Sequence, residues 1–248
     1  MQILLGFVQG VTEWLPISSS GHLAVLETLF GVPPDLSYDV FLHGASLLVL
    51  VVYFRKDLAR LSNSLFDRRE KQDRQFVTYC VAATVVTIAV ALLVGRYEPL
   101  MRGYGWLIAG FAINAVMLLL VYGIRPQTRE LTMRAALLIG LAQGIAVVPA
   151  ISRSGITIAI ALLLGIDGKT AFRFSFLLAI PALGAALVYT QPSLVFQPVY
   201  LLGFITTFIA GYGALKLLER VLMHNKFYLF WMYNAAMVSI LIALYAWQ

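Results

Sequence analysis

Apolar residues run along this chain in long blocks rather than on one face of short elements. Six blocks, roughly 37–54, 75–95, 105–123, 174–190, 199–218 and 227–247, are nearly free of charge. Each is about 20 residues long, the length that carries a helix across the hydrocarbon of a bilayer. Two further blocks, 3–30 and 135–165, are longer, and each is interrupted by a polar stretch: "PISSSG" from Pro16 and "PAISRSG" from Pro149. Each interruption leaves two arms of roughly 13 residues, which at ~1.5 Å per residue reach only about 20 Å. That suits a hairpin that enters the membrane and returns. Backbone broken at membrane depth must face protein or water. The pattern predicts an all-α polytopic membrane protein, a single integral membrane domain over residues 1–248, with six full spans and two re-entrant broken helical hairpins.

The two interrupted blocks resemble each other. Residues 4–31 laid over 138–165 without a gap share Leu4/Leu138, Gly6/Gly140, Gln9/Gln143, Gly10/Gly144, Ile17/Ile151, Ser18/Ser152, Ser20/Ser154, Gly21/Gly155, Leu29/Leu163 and Gly31/Gly165. The shared Gln-Gly and Ser-x-Ser-Gly are not apolar filler. Three full spans follow each hairpin, so the chain reads as two repeats, 1–124 and 125–248. A hairpin returns to its own side and three spans cross an odd number of times. The second repeat is therefore expected to be inverted relative to the first.

Charge placement agrees with that topology. With loop 55–74 in the cytoplasm, the inside loops hold Arg55, Lys56, Arg60, Arg68, Arg69, Lys71, Arg74, Arg125, Arg129, Arg134, Lys169, Arg173, Lys216, Arg220 and Lys226. The outside loops hold only Arg96 and Arg102. Both termini then face out, and the hairpins enter from opposite sides and meet near the midplane, where inverted-repeat membrane proteins place their binding sites.

Composition removes other classes. The chain of 248 residues is 60% hydrophobic and 12% charged, with a mean hydropathy of +0.85. A net charge of +6 explained by loop topology gives no reason to expect a nucleic-acid partner. The one cysteine, Cys80, lies in an apolar run and is read as a packed thiol. The first basic residue is Arg55, so no basic stretch precedes the first block, and that block is expected to belong to the mature fold. Gly203, Gly211 and Gly213 give one block small residues that permit close helix packing, and a homodimer is kept open on that basis. Trp14, Trp106, Trp231 and Trp247 are read as interface anchors.

The interruptions carry the chemistry. Arg153 is the one Lys or Arg left over once the loop charges are assigned, and it lies inside a membrane block; such a charge marks a functional site or a structural ion pair, here with Glu13 or Glu27. Between Ser152 and Ser154, at a helix break, its guanidinium fork suits phosphate oxygens, as do free N–H groups of a helix start. Glu13 and Gln9 lie one helical turn apart and offer oxygen ligands for Mg²⁺ or Ca²⁺, with substrate phosphate completing the shell. The rival reading of Glu13 is a counter-ion for Arg153. His22 follows the break and is a candidate acid or base, or a packing histidine. Ser18, Ser19 and Ser20 are candidate helix caps, phosphate ligands or a nucleophile. The internal alignment pairs Ser19 with Arg153. Thr157 sits three residues after Ser154, for either a phosphate contact or a backbone hydrogen bond. Gln143 mirrors Gln9 but has Val147 where Glu13 would be. Asp39 and His43 are a one-turn pair, read as interface anchoring or support for the site.

With these residues in view, "QGVTEWLPISSSGH" and "PAISRSGIT" resemble the two signature motifs of the bacterial undecaprenyl pyrophosphate phosphatases, the bacitracin-resistance family. The resemblance covers the whole chain. It implies a hydrolase of the cytoplasmic membrane that converts a polyprenyl diphosphate to the monophosphate carrier lipid at the outer face, with a divalent cation, Mg²⁺ or Ca²⁺. By motif position it implies Gln9 and Glu13 as the metal-binding pair, with Glu13, Ser19, His22 and Arg153 catalytic. Ser18, Ser20, Ser152, Arg153, Ser154 and Thr157 would hold substrate. Two positions depart from the pattern: Gln9 stands where Glu is frequent, and Ala150 stands where Gly usually follows Pro149. Either Ser19 attacks with His22 as base, or His22 activates a water. The rival class is a lipid-phosphate flippase or anion-coupled transporter using the same midplane site, since broken inverted repeats are also transporter architecture.

Overall fold

A computed structural model describes residues 1–31, 35–67, 70–101, 103–124, 129–189 and 197–246. Among them the chain is helical: α1 (Gln2–Thr12), α2 (Ser19–Phe30), α3 (Leu36–Tyr53), α4 (Arg55–Ser64), α5 (Lys71–Gly95), α6 (Tyr104–Leu120), α7 (Met133–Ile145), α8 (Arg153–Leu163), α9 (Gly168–Tyr189), α10 (Tyr200–Met223) and α11 (Phe230–Ala246). The two interrupted blocks fold as expected into short pairs, α1 with α2 and α7 with α8. The six uninterrupted blocks become α3, α5, α6, α9, α10 and α11. The helices α5, α9 and α10, and the segment Phe227–Ala246 that contains α11, are each long and apolar enough to cross a membrane unaided. The helix α3 joins them as part of a bent pair with α4, turned by 70°, and α6 is shorter at 17 residues. The molecule is an all-α multi-pass membrane protein.

Three sequence expectations change. The polar loop 55–74 contains the helix α4, which hydropathy alone does not find because its apolar residues are sparse. Leu61 and Ser64 are its buried contacts, and Asp57 and Asp73 share the guanidinium groups of Arg60 and Arg173 to tie it to α5 and α9. Trp14 is not an interface anchor: it is fully buried and meets Phe176 edge-on with centroids 5.7 Å apart. The break after α1 is thereby pinned to α9. Trp247 lies outside the described residues, as do Arg68, Arg69, Arg102 and Arg125 of the loop-charge argument. Finally, Gly203 and Gly211 do not offer a face to a second copy. Gly203 packs against Gly6 and Tyr38, and Gly211 against Trp14, inside the protomer.

The broken hairpins are held by matched contacts. The helix α1 lies on α10 and α7 lies on α5, in each case glycine to backbone. A Cβ on Gly6 would stand 2.5 Å from the Gly203 carbonyl oxygen, and one on Gly140 would stand 2.5 Å from the Ala83 carbonyl oxygen. Hydroxyls bind across the same seams: Thr207 Oγ1 donates to the Gly6 carbonyl and Thr87 Oγ1 to the Gly140 carbonyl, both at 2.9 Å. Backbone cannot retreat as a flexible side chain would. Gly6→Val is therefore expected to unseat α1 and cost about 1–3 kcal/mol or more, read as a lowered unfolding temperature of the detergent-purified protein. An unchanged unfolding temperature would refute the seam.

Candidate active site

Each hairpin breaks where its own residues deny it a continuous helix. The helix α1 stops at Thr12, and Pro16 lacks the N–H a further turn would need. Ser18 then takes φ +64° and caps α2, its Oγ accepting from the Gly21 N–H at 3.3 Å. In the second hairpin Ser152 caps α8, its Oγ accepting from the Gly155 N–H at 3.2 Å. Ala150 has φ +64°, in the region that favours glycine, which accounts physically for the glycine the resemblance expects there.

The bare backbone of each break is satisfied by an asparagine from a spanning helix. Asn114 of α6 donates Nδ2 to the Ala150 carbonyl at 2.7 Å and accepts the Ser152 N–H on Oδ1 at 2.9 Å. Asn234 of α11 donates Nδ2 to the Pro16 carbonyl at 2.9 Å. Both asparagines are buried. The sequence reading missed them, although a signal was present: Asn-Ala-Val-Met and Asn-Ala-Ala-Met place one amide inside an otherwise apolar block in each half. Asn114→Ala leaves two buried backbone groups unpaired and should cost about 2 kcal/mol or more, read as a lowered unfolding temperature. An unchanged unfolding temperature would show that the break does not depend on Asn114.

The two breaks meet. Ser152 Oγ and Ser154 Oγ both donate to the Leu15 carbonyl, at 3.4 and 3.3 Å, and the Ala150 N–H donates to Ser20 Oγ at 3.4 Å. At this junction Arg153 Nη2 donates to Glu13 Oε1 in an ion pair. Of the two carboxylates considered for Arg153, Glu13 is the one on it. The other Glu13 oxygen, Oε2, accepts from Ser19 Oγ at 2.6 Å and from Gln9 Nε2 at 3.1 Å. Glu13 is 8% exposed, whereas Arg153, Ser19 and His22 are half-buried and Ser20 is exposed. The cluster is closed beneath and open on one side. Glu13 stands at the C-terminal end of α1, and Arg153 is the first residue of α8.

The remaining candidates divide. His22 lies at the cluster's edge but does not hydrogen-bond to Ser19: Nδ1 meets the Ser18 carbonyl at 2.7 Å and Nε2 meets the Tyr233 hydroxyl at 2.6 Å. Ser18 Oγ is a cap and lies 3.3 Å from Ser20 Oγ. Thr157 is fully buried beneath the Arg153 turn, donating to the Arg153 carbonyl at 2.7 Å and paired with Ser175. Of its two expected contacts, the backbone one is present. Gln143 reaches Thr87 and the Leu178 carbonyl, not the cluster. His43 meets the backbone carbonyl of Asp39 rather than its carboxylate. Among the described residues no three His, Cys, Asp or Glu side chains gather for a metal ion.

Two broken hairpins closing on a polar junction that is buried at Glu13 and open at Ser20 define a multi-pass membrane protein with its site where the helix breaks meet. The family model described as bacitracin resistance protein BacA matches residues 2–240. The undecaprenyl-diphosphatase of Oceanobacillus iheyensis is 37% identical, covering 98% of this chain and 94% of that one. The undecaprenyl-diphosphatase of Methanococcus vannielii is 35% identical over 93% of this chain and 94% of its own. Undecaprenyl-diphosphatase 2 of Bacillus thuringiensis is 39% identical over 86% of each. The chain belongs to the bacitracin resistance protein BacA family.

Proposed function

We propose that this protein is an undecaprenyl-diphosphate phosphatase, hydrolysing the lipid diphosphate to the lipid monophosphate and inorganic phosphate and so recycling the carrier lipid of envelope polysaccharide synthesis. The relatives above carry that name over nearly the whole chain. The observation that carries the reading is the convergence of a hydroxyl, a carboxylate and a guanidinium: Ser19 and Arg153 on the two oxygens of Glu13.

That arrangement supports a specific mechanism. In the resting site Glu13 is the counter-ion of Arg153. A diphosphate arriving from the open side offers Arg153 more oxygens than one carboxylate does, and the guanidinium fork moves to it. Glu13 is then released to act as a base, with Ser19 already donating to it. Ser19 Oγ attacks the terminal phosphorus and its proton passes to Glu13. The Oγ–P bond forms as the bridging P–O bond breaks, and the lipid monophosphate leaves. Water hydrolyses the phosphoserine, returning the serine proton. Ser19 is thus served by Glu13 rather than by His22, which departs from both alternatives the sequence offers. Such transfer depends mainly on positioning and charge stabilisation.

A divalent cation is part of the proposal. Glu13, the Ser19 hydroxyl and Gln9 Oε1, a buried oxygen without a hydrogen-bond partner, are hard oxygen donors that fit Mg²⁺ or Ca²⁺, ions that take few protein ligands beside substrate phosphate. When bound it would neutralise charge on the phosphoryl oxygens.

The two halves are inverted repeats in this reading, supported by the matched seams of α1 on α10 and α7 on α5 and by the matched asparagines. The site opens to the outer face of the cytoplasmic membrane. In support, the Asp57–Arg173 and Asp73–Arg60 pairs gather the ends of α4, α5 and α9 on one side, as the basic-loop topology requires. Tyr200 and Asp35 pair with each other at the opposite end of α10. A carrier of lipid phosphate has no use for a serine hydrogen-bonded to a buried carboxylate, so the transporter reading gains nothing.

The test is phosphate release by the purified protein from a C15 or C55 polyprenyl diphosphate, with and without EDTA. Metal-dependent release is the expected result. No release from folded protein supplied with Mg²⁺ and Ca²⁺ would overturn the proposal.

A further inference from the structure

The His22 imidazole is fixed on four sides. A carbonyl can only accept, so Nδ1 carries a proton and donates it to the Ser18 carbonyl at 2.7 Å. In the neutral ring Nε2 is then the atom with the free lone pair, and the Tyr233 hydroxyl lies 2.6 Å from it. The two rings stack, with centroids 5.6 Å apart and 24° between planes, while Phe111 of α6 closes the other side edge-on at 5.5 Å. The Ser18 carbonyl and the Tyr233 hydroxyl are the nearest hydrogen-bond partners of this ring, with the Ile17 backbone also on the Ser18 side. The partner is 211 residues away in sequence and belongs to α11, the helix that also secures the first break through Asn234 and the Pro16 carbonyl.

Tyr233 does not touch the Ser19–Glu13–Arg153 cluster in any described contact, and it is 41% exposed on the outer surface of the bundle. A tyrosine there would be read from sequence as a lipid-facing aromatic. A hydroxyl delivered to the one unprotonated nitrogen of an imidazole at the mouth of the site has a different consequence. It sets the tautomer together with Ser18, it holds the ring plane, and it leaves Nε2 as the ring's one proton-accepting atom.

We infer that Tyr233 is a positioning residue for the reaction, holding His22 with Nε2 as hydrogen-bond acceptor at the mouth of the site. The inference rests on the phosphatase reading for its kinetic consequence and on geometry alone for the bond. Two arms of one experiment keep these apart. The first is the ¹⁵N spectrum of histidine-labelled protein in detergent. There are three histidines in the chain, and His22→Gln assigns the signal. In the wild type His22 is expected to show a protonated Nδ1 and a hydrogen-bonded, unprotonated Nε2. In Tyr233→Phe the Nε2 signal should move to the position of a free imine nitrogen, with Nδ1 still protonated by virtue of Ser18.

The second arm is phosphate release from the polyprenyl diphosphate by wild type, Tyr233→Phe and Tyr233→Leu. The expected result is a fall in kcat of about tenfold for Tyr233→Phe, less than the roughly 10² to 10⁴ of losing a positioned acid or base outright because the ring and its Ser18 bond remain, with KM changed less than about twofold, and a larger fall for Tyr233→Leu, which loses the stacking as well. A change in KM alone would make Tyr233 a lipid contact and overturn the inference. So would wild-type kcat in Tyr233→Phe, or an Nε2 signal that does not move. If the wild type itself releases no phosphate, the phosphatase reading fails, while the spectrum still reports whether the His22–Tyr233 bond exists.

Discussion

Arg153→Lys is expected to lose nearly as much phosphate release as Arg153→Ala while remaining as stable as the wild type. The reason is the difference between a fork and a point charge. Arg153 begins α8 and reaches Glu13 with Nη2, leaving further N–H donors in the same plane for phosphate. Lysine keeps the charge that satisfies Glu13 but cannot span two phosphate oxygens in one geometry. The fall in kcat should be on the order of 10² to 10³, as for the loss of a donor aimed at developing charge. Alanine removes the charge as well and strands a carboxylate that is only 8% exposed. Breaking a buried pair in that way costs about 3–5 kcal/mol, so Arg153→Ala should also unfold at lower temperature. Parallel unfolding and turnover curves for the two variants check this. A lysine variant with half the wild-type turnover would mean that charge alone holds the phosphate.

Glu13→Gln should separate binding from catalysis. The amide keeps the shape of the side chain and a hydrogen bond to Ser19, but it can take no proton from it. Turnover is expected to fall by about 10³, within the range a general base supplies. The same change frees Arg153 from its resting partner. Inorganic phosphate or a non-hydrolysable diphosphate should therefore bind more tightly than to the wild type, measured by titration of tryptophan fluorescence without added metal. Retained turnover would remove Glu13 as the base. Weaker binding under those conditions would show that Glu13 attracts the anion rather than competing with it.

Much of this architecture was legible because a bilayer constrains sequence severely. Block length gave the spans, and the polar interruptions gave both hairpins, with α2 and α8 beginning at Ser19 and Arg153 close to where capping serines mark them. That Arg153 would meet a carboxylate followed from charge economy, but the sequence left Glu13 and Glu27 both open, and the fold puts Glu13 on it. What escaped has equally physical causes. The helix α4 is too polar for a hydropathy scan. Trp14 was grouped with the other tryptophans as an interface anchor, and only tertiary packing against Phe176 shows it buried. Tyr233, Asn114 and Asn234 act on breaks or rings far away in sequence, so no local pattern connects them to their partners. His22 was paired with Ser19 by proximity along the chain, yet one turn of helix aims its ring at α11.

The placement of the central ion pair has a consequence for how firmly the two breaks are held together. A carboxylate at the C-terminal end of α1 and a guanidinium at the N-terminal end of α8 each face peptide dipoles of their own sign, a penalty of about 0.3–1 kcal/mol apiece. A bridge meant only to join two helices would carry the charges the other way round. As built, the end of α1 attracts a cation and the start of α8 attracts an anion, so each charge is better matched to a visitor than to the helix that bears it. Each charge therefore works against the helix that bears it, so the junction of the two breaks is held by Glu13 and Arg153 together and loosens when either is drawn to another partner.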